Sequence, residues 1–351
     1  MRVGILGTGA IAEKHAQAYR NIGFEVAACS NRTPERGRAF AQRWGAEFVA
    51  NSEHLCSYPG LDYVDVCTFP DVRLEPVEFC ARVGRSVLVQ KPMATNLESA
   101  RRMISTAHEA GIRLGVVSQH RFDDSIQFLK RAIAAGRLGK LLEADAYVKW
   151  FRSDDYYSRP IKGTWETEGG GALITQAVHQ VDLLLYLMGP VSKVTAVWQL
   201  GARHRIESED IVNALLSYES GASGVIQAST AFWPGYPERV EIHGTRGSAI
   251  VSGDRLTSWD VLEDERANKE DPAPVAQDVA SGSSDPMAIG LTAFERQFED
   301  FASAIGEKRD PLVDGEQGYR ALELVIAIYD SCREERPVTL RQLQSSSCPP
   351  L

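Results

Sequence analysis

The chain has no CxxC pair. Its six cysteines, Cys29, Cys56, Cys67, Cys80, Cys332 and Cys348, are scattered, and two of them sit in apolar, strand-like runs. That spacing excludes the common zinc ribbons and thioredoxin-like redox motifs, and no metal site is expected. Buried thiols used as small hydrophobes fit a reducing compartment. Positive charge is also in deficit, the net formal charge being −9. This argues against a nucleic-acid surface, because phosphate binding needs clustered Lys and Arg. The stretch from Arg32 to Arg43 is Arg-rich but contains Glu35 and has helical spacing, so it reads as a solvated helix face. No apolar run reaches membrane-spanning length, and the N-terminus enters an apolar strand by Val3, which leaves no room for a signal peptide. The cytoplasm is the expected compartment, with no membrane partner and no internal repeat.

What is present is a soluble-protein composition, 44% hydrophobic and 24% charged over 351 residues, long enough for two domains. Up to about residue 120, short apolar runs (Val3–Leu6, Glu25–Cys29, Tyr63–Cys67, Ser86–Val89, Arg113–Val117) alternate with helical patterns (Ile11–Arg20, Pro34–Trp44, Pro76–Val83, Leu97–Ala110). Pro34 suits a first helical turn, Asn96 an N-cap and Gly111 a helix C-terminus. Such alternation predicts parallel βαβ units with right-handed crossovers. The rhythm then changes. A helix at Asp124–Ala135 leads to a strand at Leu142–Trp150, and an apolar helix spans Gly171–Leu187. From Val191 to Leu262 strand follows strand, separated by turn pairs such as Ser220-Gly221 and Arg246-Gly247. Residues 263–287 are polar and rich in Pro, Ser and Gly and read as a surface loop, and helices at Phe294–Ile305 and Gly318–Cys332 end the chain. The expected fold is an α/β Rossmann domain over 1–120, followed by an α+β domain over 121–351 with a large, mostly antiparallel sheet. Its last helices are expected to pack back on the first domain.

Gly7-Thr8-Gly9-Ala10-Ile11-Ala12 follows the first strand and opens the first helix. The first glycine permits a tight turn, the second lets the backbone approach a pyrophosphate, and Ala12 still allows close helix–strand packing. The phosphates would sit on the helix N-terminus, whose free N–H groups and dipole favour negative charge. At the end of the second strand, Ser30-Asn31-Arg32 carries no carboxylate. Asn31 suits ribose hydroxyls while Ser30 and Arg32 suit a phosphate, so NAD and NADP both stand. Lys91 follows the strand Val87–Val89 at its C-terminal edge, where ligands bind in open α/β sheets. Gly169-Gly170-Gly171 opens a helix on which Thr175, His179 and Asp182 share one face.

With these residues in view the chain resembles the Gfo/Idh/MocA family, the glucose–fructose oxidoreductase and inositol dehydrogenase group. The likeness runs nearly the whole length, through GTGAIA, Gln90-Lys91-Pro92, Gln119-His120-Arg121-Phe122, the GGGALI…HQVD helix, and Val240–His243 with Gly244-Thr245-Arg246-Gly247. The resemblance implies that Lys91 lies by the nicotinamide and the reacting hydroxyl and that His179 is the acid/base partner, the reverse assignment being the alternative. It implies cofactor contacts at Gly7, Thr8, Gly9, Ala10, Ile11, Asn31, Arg32, Thr68, Pro70, Gln90, Lys91 and Gln119. Gln90 stands where the family usually has glutamate, Thr175 where many members have aspartate, and Thr68–Arg73 departs from the usual Thr-Pro-Asn-His. For substrate, Lys91, Thr175, Gln176 and His179 are expected to hold a sugar, with Arg121, Tyr156, Tyr157, Lys162 and Trp165 as further candidates because aromatic faces and fork donors suit sugars. The implied activity is NAD(P)-dependent interconversion of a secondary hydroxyl and a ketone on a sugar, glycoside, nucleotide sugar or polyol. A redox-assisted glycosidase or lyase that recycles its NAD, and a non-catalytic sensor of the same fold, are the alternatives. A homo-oligomer, dimer or tetramer, through the second domain's sheet is expected.

Overall fold

The β/α alternation folds into a six-stranded parallel sheet of order β3-β2-β1-β4-β5-β6. The computed structural model describes residues 1–262 and 290–340, so the loop expected over 263–287 lies outside the described residues. In chain order the first unit comprises β1 (Arg2–Leu6), α1 (Ala10–Asn21), β2 (Glu25–Ser30), α2 (Pro34–Trp44), β3 (Glu47–Phe48), α3 (Ser52–Cys56), β4 (Tyr63–Val66), α4 (Leu74–Arg82), β5 (Ser86–Val89), α5 (Leu97–Glu109) and β6 (Leu114–Val116). β4 and β5 are buried at every residue, as strands covered on both faces must be. The caps fall where the residues demanded them: Pro34 opens α2, and the Asn96 side chain accepts from the Ser99 N–H. β3 and α3 were not legible, being only two and five residues long.

The second unit is built on an eight-stranded sheet of order β13-β12-β11-β7-β10-β9-β8-β14. It contains α6 (Asp124–Ala134), β7 (Leu141–Lys149), two one-turn helices α7 (Asp154–Tyr157) and α8 (Trp165–Glu168), and α9 (Val178–Met188), entered through a π turn at Leu173–Ala177. The strands β8 (Val191–Leu200), β9 (Glu209–Tyr218), β10 (Ser223–Ser229), β11 (Arg239–Gly244), β12 (Gly247–Ser252) and β13 (Arg255–Val261) follow, then α10 (Thr292–Glu307), α11 (Gly315–Glu334) and the edge strand β14 (Val338–Thr339). Among the described residues only the β7–β10 pair of this sheet is parallel, so the sheet is mixed and mostly antiparallel.

Alternation along β8, β9 and β10 points Val194, Ala196, Val212, Ala214, Leu216, Ile226 and Ala228 inward against the helices. The two sheets are joined by the closing helices. α10 lays Phe294, Phe298 and Phe301 against Tyr19 and Tyr63 of the first unit, with the Phe298 and Tyr19 rings stacked at 4.2 Å. Each buried phenylalanine contributes roughly 1.5–3 kcal/mol, enough together to hold the helix on the first sheet. α11 packs on β6 and α5 on one side and on β8 and α9 on the other. Residues 313–314 extend the edge of β6, the Val116 N–H donating to the Val313 carbonyl. The last helices thus return to the first unit, and the end of β5 faces the π turn that leads into α9.

Candidate active site

The turn after β1 is shaped for a dinucleotide. Gly7 has φ +88°, and a Cβ there would meet the Cys67 carbonyl carbon at 3.1 Å, so only glycine fits. Gly9 is different: its φ is ordinary, and nothing lies within 4 Å of where its Cβ would be. Gly9 and Ala10 are exposed at the N-terminus of α1, where no side chain caps the free N–H groups, and Ile11 is half-buried beside them. The hydroxyl oxygens of Thr8 and Thr68 at this opening, and the amide oxygen of Gln119 after β6, are buried without a protein partner. Buried polar atoms are normally bonded, so these orphans, with an uncapped helix N-terminus on the same sheet edge, fit a bound nicotinamide dinucleotide. Pro70 is buried in the one-turn 3₁₀ segment next to Thr68. Asn31 donates its amide to the Thr33 carbonyl at 3.0 Å, and Arg32 is exposed. Because Gly9 has room for a Cβ only where a pyrophosphate would approach, Gly9→Val should leave the melting temperature within about 2 °C. The same change should weaken dinucleotide binding at least about tenfold by calorimetry, roughly 1.4 kcal/mol; unchanged affinity would remove this turn from the site.

Lys91 leaves β5 on a main chain fixed from two directions. Arg73 is buried and donates to the carbonyls of Thr68, Gln90 and Pro92, clipping together the loops after β4 and β5. The Gln90 side chain accepts the Lys91 N–H at 2.9 Å and reaches His15 Nε2 at 2.9 Å with its amide nitrogen. His15 Nδ1 meets Asp65 at 2.7 Å, and the Tyr19 hydroxyl donates to the same carboxylate. Since the Gln90 amide nitrogen is a donor, His15 Nε2 accepts, and the ring carries its proton on Nδ1. Each end of the Gln90 side chain makes one bond inside the protein, so it supports the main chain at Lys91. His15, Asp65 and Cys67 cluster closely enough for a metal, but both His15 nitrogens are engaged in this chain of hydrogen bonds.

The Lys91 ammonium donates to the main-chain carbonyl of Thr175 at 2.8 Å. A π turn widens the helix by one residue and leaves a carbonyl short of an intrahelical N–H, and such turns recur at functional sites. Here the π turn at Leu173–Ala177 presents that carbonyl to Lys91, one turn before His179. The start of this segment is fixed by Glu209, fully buried at the head of β9. It accepts from the Gly171 and Leu173 N–H groups and from the Tyr329 hydroxyl, each at 2.8 Å. A Cβ at Gly171 would run into the Glu209 carbonyl, which explains the third glycine. Further along, Asp182 takes a bidentate pair from Arg121, at 2.7 and 2.6 Å, and the Ser118 hydroxyl. Lys91, His179, Asp182 and Ser118 line one cavity between the units. Lys91 from the front half and His179 from the back half thus border one small cavity, close enough for the Lys91 charge to act on the His179 ring.

Several substrate candidates are placed otherwise. Arg121 is 2% exposed, held by Asp182 and Gln317 and stacked on the Tyr186 ring, so it is scaffold at the junction and cannot grip a sugar. Trp165 packs with Trp198 and Tyr329 and gives its indole N–H to the Glu207 carbonyl; its ring serves packing. Thr175 has committed its hydroxyl proton to the Gly171 carbonyl and can only accept. Gln176 is bound on both ends, by Arg152 at its oxygen and to the Tyr156 hydroxyl from its nitrogen. Tyr157 shares a 2.8 Å hydrogen bond with Thr230, and Lys162 is paired with Glu168 at 2.5 Å. Thr175, Gln176, Tyr156 and Arg152 thus form one connected wall. Arg73, Arg152, Glu209 and His120 were missed by reading the chain, because nothing local marks them.

The electrostatics divide the two central groups. Burial, then the cations Lys162, Arg73 and Arg152, pushes the Lys91 ammonium down to about 7. Burial, then Lys91 and His120, holds His179 well below the usual histidine range, so its ring is neutral at neutral pH. The expectation that His179 could take a proton without a large shift is not met, because the ring is enclosed beside two other basic groups. Burial lifts Glu209 to about 7 against the pull of its N–H donors.

Among the described residues no helix is long and apolar enough to cross a membrane. Residues 1–118 match the oxidoreductase family with an NAD-binding Rossmann fold, and residues 126–250 match the GFO/IDH/MocA C-terminal domain. The chain is 28% identical to a myo-inositol 2-dehydrogenase of Thermotoga maritima, covering 98% of this chain and 99% of the relative. It is 27% identical to a D-apiose dehydrogenase of Paraburkholderia graminis, over 98% and 90% of the two chains. The solved WlbA dehydrogenase of Bordetella pertussis, in complex with NADH and UDP-GlcNAcA, superposes with a TM-score of 0.87 at 29% identity, covering 97% of this chain and 98% of that one. With both halves matched in order, the same two sheets, and the lysine and histidine facing one cavity, the chain belongs to the Gfo/Idh/MocA family of oxidoreductases.

Proposed function

We propose that the protein interconverts a secondary hydroxyl and a ketone on a sugar, glycoside, nucleotide sugar or polyol. The observation that carries this reading is Lys91 lying close enough to His179 for its charge to act on the ring, at the same C-terminal sheet edge as a turn that fits a dinucleotide. A bound NAD or NADP would accept or return the hydride; Gly7, Thr8, Gly9, Ala10, Thr68 and Gln119 are the residues that would hold it. Lys91, partly neutral near pH 7, takes the hydroxyl proton during oxidation and returns it to the carbonyl oxygen during reduction. The neutral His179 ring holds the same oxygen and fixes its orientation, so the division of labour is the reverse of the one favoured from the sequence. The wall of Thr175, Gln176 and Tyr156 offers acceptors and donors to neighbouring hydroxyls. The named dehydrogenases among the relatives, acting on inositol and apiose, support the substrate class.

The test is a screen of polyols, sugars, glycosides and nucleotide sugars with NAD and NADP separately, following reduced nicotinamide. Net accumulation of reduced cofactor is expected, and its absence during turnover of a glycoside would favour a lyase that recycles its cofactor. With a substrate in hand, the sign follows from Lys91. Oxidation needs the free amine, so its rate should fall as pH drops through about 7, and carbonyl reduction should fall as pH rises through it. A flat profile between pH 6 and 8 in both directions, about one unit either side of that value, would remove Lys91 from proton transfer.

We place the protein in the cytoplasm, on the buried thiols Cys29, Cys56, Cys80 and Cys332. We also propose a homo-oligomer through the outer face of the eight-stranded sheet. Val197 and Leu215 stand 66% and 62% exposed there, with Val225 beside Leu215 on the neighbouring strand. A monomer mass by light scattering at micromolar concentration would end that proposal.

A further inference from the structure

His120 lies in the segment Gln119–Phe122 that links the two units, and its ring stands edge-to-face against that of His179, centroids 5.0 Å apart at 89°. On its far side His120 Nδ1 meets the Asp123 carboxylate at 2.8 Å. His179 Nδ1 is buried without a protein partner. His179 is buried, and the His120 and Asp123 side chains are each 12% exposed. Two basic groups, Lys91 and His179, are thus followed by a carboxylate-backed imidazole. Nothing in the proposed chemistry uses the last of these.

We propose that the His120–Asp123 pair is the proton relay of this site, carrying the proton released at Lys91 and His179 towards solvent and returning it in the opposite direction. This rests on the dehydrogenase reading. In oxidation the substrate O–H bond breaks and its proton forms an N–H bond on Lys91. That N–H bond then breaks as the proton passes, by way of His179, to the free nitrogen of His120; ring nitrogens at this separation are within reach of one bridging water. Asp123 balances the imidazolium charge, and a buffer base removes the proton. No electron moves in these steps. The groups facing His120 are consistent with the role. Burial opposes its protonation, Asp123 and Glu238 favour it, and Lys91 opposes it, with a net upward displacement from the ordinary histidine value. His120 is a positioning and relay residue, since it acts through its neighbours and not on the substrate.

His120→Gln keeps size and polarity but cannot carry the proton. At low buffer concentration its oxidation kcat should fall about 10- to 100-fold with KM within about twofold, and added imidazole should restore kcat in a saturable way. Unchanged kcat, or a loss that imidazole does not restore, overturns the relay. A second arm needs no substrate: histidine NMR titrations of wild type and Asp123→Asn. Removing the carboxylate should lower the midpoint of His120 and move that of His179 with it, and an unmoved His179 overturns the coupling. That arm keeps the relay falsifiable if His120→Gln does not fold. It also separates the two ideas, because a wild type that oxidises nothing refutes the dehydrogenase reading while the coupled titration still stands or falls by itself.

Discussion

Lys91→Ala should lower turnover about 10²–10⁴-fold in either direction, the range that positioned proton transfer supplies. Two effects combine. The group that titrates near 7 is lost, and the Thr175 carbonyl on the π turn loses the donor that holds it. Dinucleotide affinity should change less than about threefold, roughly 0.65 kcal/mol, because the phosphates would be held by the turn at Gly7–Ala10, two strands away along the same sheet edge. Lys91→Arg should recover little. Its guanidinium stays charged throughout the working range, so it cannot take the hydroxyl proton. Steady-state rates with calorimetric binding check both statements, and turnover within about tenfold of wild type in Lys91→Ala would place proton transfer elsewhere.

Asp182→Ala should cost about 3–5 kcal/mol of stability, the usual penalty for stripping one partner from a buried charge pair. Asp182 and Arg121 are 3% and 2% exposed, and the guanidinium would be left with Gln317 and the Tyr186 ring but no counter-ion. The change also frees the Ser118 hydroxyl, so it unfastens the segment after β6 from α9. Since this junction sets the distance between Lys91 and His179, the surviving folded protein should also lose kcat. Denaturant unfolding followed by two probes measures the effect, and a loss below about 1 kcal/mol would mean the pair is solvated and the junction is held by packing alone. Asp182→Asn should cost less, because the amide oxygen still accepts from Arg121.

Those two residues also mark where the sequence stops being readable. The parallel sheet could be read because its strands are continuous apolar runs and its helices keep one apolar stripe. Lys91 and the Gly169–Gly171 turn could be found because their chemistry is local: a strand end, and a helix start with no room for a Cβ. The Arg121–Asp182 pair joins residues 61 positions apart, and Arg121 alone reads as an exposed fork suited to a sugar. Glu209 is 36 or more positions from the N–H groups it caps, and Gln90 reaches His15 across 75. Buried polar groups find partners through the fold, so their roles appear only once the chain is closed. The π turn was hidden for a related reason. The residues Leu173–Ala177 carry helical periodicity, and only the donation from Lys91 on another element shows which carbonyl is released.

The proposed joint action of Lys91 and His179 on one oxygen is measured directly by a double-mutant cycle. Lys91→Ala, His179→Ala and the double variant are compared by kcat/KM on the same substrate. Groups that act as a unit are strongly non-additive, so the double variant should be no more than about threefold worse than the poorer single one. If the two losses multiply, the residues serve separate steps, and the shared site is wrong.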